Sequence, residues 1–225
     1  MIIRAILQTL IMLAVTGAIL LGSGGDWLWP QAWTFLGEIG VLSVVITVWL
    51  AKHDPDLLKA RLTSPFQAGQ RPFDRAVIIV IGPIYLAWHA LIGLDAERFQ
   101  WSSAPLALQI AGAALVGAGM ILAWESFRQN SFATPQVRVQ TERAQTVIDT
   151  GLYRYIRHPM YAGALLYFLG APLVMGSLWG LVGSALLTAG LAVRTLGEEQ
   201  VLKADLPGYA DYMQKTPWRI IPGVW

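Results

Sequence analysis

The chain has 225 residues, of which 55% are hydrophobic and 13% charged, with a mean hydropathy of +0.51. A soluble domain could not hide that much apolar surface, so lipid is the simpler solvent. The net charge of +2 is gathered in particular loops and leaves no basic stripe of the kind that DNA or RNA binding uses, while the lack of cysteine excludes disulfides, thiolate nucleophiles and cysteine-ligated zinc or iron–sulfur clusters.

A bilayer core about 30 Å thick takes roughly 20 apolar residues in a helix, because unpaired amides cannot be left in hydrocarbon. Four segments meet that length: Arg4 to Leu21, Ala32 to Ala51, Ala76 to Leu94 and Pro105 to Trp124. The first is read as a span rather than a signal peptide, since its apolar run exceeds a usual h-region and no A-x-A-like cleavage site follows. A fifth apolar stretch, Met160 to Leu196, is too long for one helix and is interrupted by Gly176-Ser177, with Pro172 just before. The interruption predicts a helical hairpin, Met160 to Met175 and Leu178 to Leu196. The expected fold is an all-α integral membrane protein of five to six transmembrane helices, the number depending on whether the short first arm crosses. No internal repeat divides the chain, so it reads as a single domain over 1–225, with the first three spans in 1–104.

Basic residues set the orientation. Lys52, Lys59, Arg61, Arg71 and Arg75 follow the second span, and Arg128, Arg138, Arg143, Arg154 and Arg157 follow the fourth. The alternate loops carry only Arg98. The positive-inside rule then places both termini and both long loops in the cytosol. Trp27, Trp29, Trp33, Trp101, Trp218 and Trp225 lie near expected boundaries, as interfacial aromatics do.

Polar residues concentrate at two places. The loop Phe127 to His158 runs into the fifth span through the sequence from Gly151 to Tyr161. Pro159 suits the first turn of a helix, which puts His158 near the N-cap and points free amides and the positive dipole end at the cytosolic boundary, where they attract anionic groups. Read without a ligand, the same arginines and tyrosines are positive-inside anchors and an interfacial belt. At the end of the last span, Arg194 and Glu198 share a helix face and Glu199 is turned by about 100°. A plain Arg194–Glu198 surface pair is the alternative there. Glu38 near the outer boundary and His89 within a span are weaker signals, the latter read as a packing residue. The small residues from Gly112 to Gly119 are read as a close helix-packing surface, and Glu125 and Arg128 as an i, i+3 pair. His53, His89 and His158 are too scattered to suggest a metal site.

Taken together, Gly151, Tyr153, Arg157-His158-Pro159, Tyr161 and Gly163, then Arg194-x-x-x-Glu198-Glu199, Tyr209-x-x-Tyr212 and Pro222 form a pattern that resembles the isoprenylcysteine carboxyl methyltransferase family. Related phospholipid N-methyltransferases and small-thiol S-methyltransferases share much of it. The likeness spans a core of residues 127–222. It implies S-adenosylmethionine as cofactor, held in a cytosolic pocket by Gln140, Gln145, Thr146, Val147, Ile148, Tyr153, Arg157, His158, Pro159, Met160, Tyr161, Glu198 and Glu199. It also implies catalytic positions at Arg194 and Glu198, with Arg194 facing the methyl acceptor, and no metal.

Those roles are chemically reasonable. A carboxylate on the cofactor suits Arg157, His158 and the helix amides, an ammonium suits Glu198 or Glu199, and a sulfonium suits the faces of Tyr153 and Tyr161. The expected partner is a lipophilic small-molecule or lipidated acceptor within membrane lipid. The favoured acceptor is a prenylcysteine-like carboxylate, and a phospholipid, an amine or a thiol is the alternative. Two other readings stand further off: a membrane reductase using NADPH, and a transporter in which Glu38 and His89 line a path.

Overall fold

A computed structural model describes residues 1–64, 66 and 70–225. The described residues form eight α-helices: α1 (Ile2–Gly24), α2 (Pro30–His53), α3 (Pro55–Arg61), α4 (Pro72–Gly93), α5 (Leu106–Gln129), α6 (Pro159–Val174), α7 (Gly180–Asp205) and α8 (Tyr209–Lys215). Five of them, with α4 extended by a π-helical turn Leu94–Arg98, are long and apolar enough to cross a membrane. Only 17% to 28% of the most apolar window of each is buried in protein, which leaves extensive apolar surface on the outside of the bundle. The expected spans and the hairpin are all present.

Proline and aspartate set several helix starts. Pro30, Pro55, Pro72 and Pro159 each stand in a first turn, where the missing N–H breaks no helical bond. Asp54 caps α3 by accepting from the Leu57 amide at 2.9 Å. That short helix was not anticipated, although Asp-Pro is a start signal. The helices also run beyond their apolar stretches, most clearly α5 to Gln129 and α7 to Asp205.

The tightest packing joins α5 to α6 through paired glycines. A Cβ on Gly112 would lie 2.4 Å from the Val174 amide nitrogen, and one on Gly170 would lie 2.5 Å from the Gly112 carbonyl. Gly119 and Gly163 oppose each other in the same way, each 2.5 Å from the other's carbonyl. The small-residue surface therefore serves close approach of backbones. His89 is buried in an aromatic cluster with Tyr85, Trp88 and Phe35, its Nδ1 2.9 Å from the Tyr85 carbonyl, as a packing residue should be. Arg128 and Glu125 pair at 2.7 Å.

At one end of the bundle the fully buried Asp95 ties two connections together. It accepts from the Ser102 amide (2.9 Å), Ser102 Oγ (2.7 Å), Ser177 Oγ (2.5 Å) and the Trp179 amide (3.2 Å). The α4–α5 and α6–α7 connections thus share one end, and the 130–158 loop occupies the other. The 16-residue α6 lies between these two ends. Asp95→Ala would strip four donors of their acceptor, and a loss of about 2 kcal/mol or more in stability is expected, measurable as a lowered melting temperature in detergent or nanodiscs.

Candidate functional site

Because α6 is short, a recess remains above its first turn while α7, level with it at Glu199, continues to Asp205. The 130–158 loop, the end of α7 and α8 close that recess into a cleft with about 760 Å³ of empty space, its open mouth included.

The 130–158 loop has little regular structure and is held by side chains. Gln140, almost fully buried, donates from Nε2 to the Phe132 carbonyl (2.8 Å) and accepts from Arg143 Nη1 (2.8 Å), while its amide donates to Gln145 Oε1 (2.8 Å). Gly151 adopts φ +57°, and a Cβ there would lie 2.3 Å from Gln129 Oε1, the atom that accepts from the Leu152 amide at 2.7 Å. Only glycine suits both the conformation and the approach.

His158 is the N-cap residue of α6 and Pro159 stands in its first turn, as the sequence predicts. The Met160 amide lies in the first turn, where no helical carbonyl precedes it, whereas the amides of Tyr161 and Ala162 donate to the His158 carbonyl (3.0 and 3.1 Å). The C-terminal segment straps this turn: the Arg157 amide donates to the Trp218 carbonyl (3.0 Å) and the His158 amide to the Arg219 carbonyl (2.8 Å).

Below the strap, Glu199 collects three basic side chains. Its Oε1 accepts from Arg157 Nε (2.7 Å) and lies 3.2 Å from His158 Nε2, and its Oε2 accepts from Arg219 Nε (2.9 Å). Arg157 also donates from Nη1 to the Thr216 carbonyl at 2.6 Å. Arg157, His158 and Glu199 are all buried. Glu198 points differently. Its Oε2 accepts from Tyr161 Oη at 2.5 Å, its other oxygen has no partner among the described residues, and the Tyr161 ring stacks on His158 with centroids 5.3 Å apart.

Arg194 pairs with the fully buried Asp74 of α4, Nε to Oδ1 at 3.0 Å, and also donates to the Pro135 carbonyl. Asp74 Oδ2 in turn accepts from the Val137 amide (3.0 Å) and Gln70 Nε2 (2.7 Å). The pair fastens the loop to the bundle. It stands where the alternative reading put an Arg194–Glu198 surface pair.

The cleft is lined by Gln145, Thr146, Val147, Ile148, Tyr153, Arg157, His158, Pro159, Met160, Tyr161 and Glu198, all anticipated from sequence. Gln140, Glu199 and Arg194 stand behind its wall, where they hold the lining in place. Asn130, Arg138, Leu202, Leu206, Tyr209 and Tyr212 also line it and were not assigned there. Tyr209 and Tyr212 had a usable signal, two aromatics three apart after the last span. Tyr212 Oη donates to the Tyr153 carbonyl at 2.6 Å, whereas the buried Tyr209 Oη has no partner among the described residues. Burial pushes the phenols of Tyr153, Tyr209 and Tyr212 well above the usual range, so all three stay neutral donors.

A second, apolar cavity opens among α1, α2, α5 and α6, with about 1570 Å³ of empty space including its open side. Met160 lines both spaces.

Residues 108–205, from α5 to the end of α7, match the phospholipid methyltransferase family model. The chain is also 21% identical over 180 residues to a protein-S-isoprenylcysteine O-methyltransferase of Dictyostelium discoideum, covering 79% of this chain and 71% of that one. Both matches are to methyltransferases. The matched family segment contains the 130–158 loop, the α6–α7 hairpin and with it Glu198 and Glu199, and it leaves out α1 to α4 and α8. The cleft therefore takes Tyr209 and Tyr212 from beyond that segment and is braced by Asp74 from before it.

Proposed function

We propose that the chain uses S-adenosylmethionine to methylate a lipophilic acceptor at the cytosolic membrane face. The observation that carries this reading is that Met160 lines both the polar cleft and the apolar cavity, so a water-soluble donor and a membrane-borne acceptor can meet at the first turn of α6. Basic residues in the cleft-side loops support the cytosolic orientation.

The residues present fit the cofactor. The unpartnered oxygen of Glu198 suits its ammonium, the Met160 amide at the positive end of α6 suits its carboxylate, and the buried Tyr209 hydroxyl offers a donor to ribose or purine. Tyr153 and Val147 offer apolar faces to the purine. Glu199, saturated by its own cations, acts as the post on which Arg157 and His158 are set. When bound, the cofactor supplies an electrophilic methyl group on a sulfonium that leaves as a neutral thioether. An anionic acceptor oxygen needs no base, so the chain's own part is to hold, orient and exclude water. The acceptor this suits is a prenylcysteine-like carboxylate; a phospholipid amine is the alternative and would have to give up a proton before it attacks.

Calorimetric titration of the purified protein with S-adenosylmethionine, with NADPH as a control, tests the assignment. Saturable binding of the first alone is expected, and Glu198→Gln is expected to weaken it by about tenfold to a hundredfold, the value of one charge-assisted hydrogen bond, at an unchanged melting temperature. No binding to a folded wild-type preparation would end the methyl-donor assignment.

A further inference from the structure

Resting on the two-cavity reading above, we infer that Arg61 is the acceptor's anion receptor: it is the charged group at the polar end of the apolar cavity and selects lipophilic acceptors that carry an anionic group. Sequence pattern points to Arg194 for that task, but Asp74 and the Pro135 carbonyl already occupy Arg194. Arg61 differs in each respect. It is the last residue of α3, it lines the cavity, and no other lining residue carries a charge at neutral pH.

Its environment leaves it short of partners. Nη1 donates to the Ala133 carbonyl at 2.7 Å, and the guanidinium lies 4.2 Å from the centre of the Phe127 ring. These two contacts fix the group in place but neutralise nothing. Among the described residues no carboxylate pairs with it, and the four residues outside the description, Pro65, Gln67, Ala68 and Gly69, include no acid. Five N–H donors in a planar fork are more than one carbonyl can take. Burial, with the charge of Arg194 nearby, draws its pKa down only to about 10, so it remains a cation at neutral pH. An unpaired cation facing an apolar chamber is costly and gains most from an anion that arrives on an apolar chain.

Placement agrees with this assignment. Met160 joins the chamber to the cleft, and Ala133, whose carbonyl anchors Arg61, lines the cleft. An anion held by Arg61 therefore sits on the side of the chamber that adjoins the cleft, while Leu58, Met120 and Ala164 flank the chain behind it. Two sources share this chemistry: a terminal carboxylate, which is itself the nucleophile, and a phosphate, which orients a neighbouring nucleophile.

The test is competition for photo-cross-linking. Full-length protein in nanodiscs is labelled by a diazirine-bearing hexadecanoate, and unlabelled hexadecanoate, hexadecyl phosphate, hexadecanol and hexadecylamine compete. In the wild-type chain the carboxylate, the phosphate or both are expected to compete about tenfold or more better than the alcohol or amine. Preference for the carboxylate assigns the anion to the nucleophile, and preference for the phosphate assigns it to a phospholipid head. Arg61→Gln should bring the anions to the level of hexadecanol without changing hexadecanol itself, which also reports that the chamber is intact. Arg61→Lys should restore most of the preference. Equal competition by alcohol and anion in the wild-type chain, or a preference that survives Arg61→Gln, overturns the assignment. Calorimetry with S-adenosylmethionine on the same variants should be unchanged. Loss of cofactor binding in every preparation, with the head-group preference intact, would remove the methyl donor and leave the anion receptor standing.

Discussion

Replacing Glu199 by alanine is expected to destabilise the protein by about 3 to 5 kcal/mol, the cost of breaking a buried ion pair from one side. The carboxylate is buried and is shared by Arg157, His158 and Arg219. Its removal leaves Arg157, itself buried, with only the Thr216 carbonyl. The loss should appear as a large fall in melting temperature whether or not S-adenosylmethionine is present, because the site is filled by the chain's own groups. Glu198→Gln is the informative contrast. One oxygen of Glu198 is unpartnered among the described residues, so the cost of this change should fall on cofactor affinity and not on folding. If Glu199→Ala melts like the wild type while losing cofactor affinity, the saturated post is the wrong description and Glu199 contacts the ligand directly.

The contrast between these adjacent acids shows what the sequence could and could not reveal. Spans were legible because bilayer thickness imposes a length on apolar runs, and the hairpin because Pro172 and Gly176-Ser177 interrupt one run that is too long. Helix ends were less legible, since α5 and α7 continue past the hydrocarbon into polar residues where hydropathy gives no signal. Contiguous stretches such as Gln145 to Ile148 and Arg157 to Tyr161 were assigned to the pocket through the family resemblance, and both do line the cleft. Which face each residue presents was not available from spacing alone. Glu198 and Glu199 look alike in sequence, and only the packing of α7 against the Arg157 turn and the C-terminal strap separates lining from support.

Long-range partners were the least visible. Arg194 and Asp74 are 120 residues apart, and Arg61 and Ala133 are 72 apart. No periodicity connects either pair. Asp74 reads in sequence as an ordinary acid in the first turn of α4, which is a favourable place for one in its own right. Arg61 reads as one of several positive-inside anchors. Both acquire their meaning from where the 130–158 loop is laid down, and that loop is ordered by side-chain hydrogen bonds rather than by a repeating backbone pattern.

The second large effect is expected at Gly163. A Cβ there would lie 2.5 Å from the Gly119 carbonyl oxygen and 3.2 Å from the Ala123 amide nitrogen, both backbone atoms of a rigid helix. Neither can swing aside as a flexible side chain would, so α6 must move away from α5 as a body. The paired contacts at Gly112 and Gly170, further along the same seam, would open with it. Gly163→Ala is therefore expected to cost about 3 kcal/mol or more, at or beyond the upper end of the usual range for overpacking. Because α5 and α6 carry the two ends of the 130–158 loop, cofactor affinity should fall in the same variant. Gly22→Ala is the matched control: nothing lies within 4 Å of its added Cβ, and its melting temperature should equal or slightly exceed that of the wild type. The ten tryptophans permit both melts to be followed by intrinsic fluorescence. Should Gly163→Ala melt with the control, α5 and α6 are not held at backbone contact, and the recess above α6 must be formed without that seam.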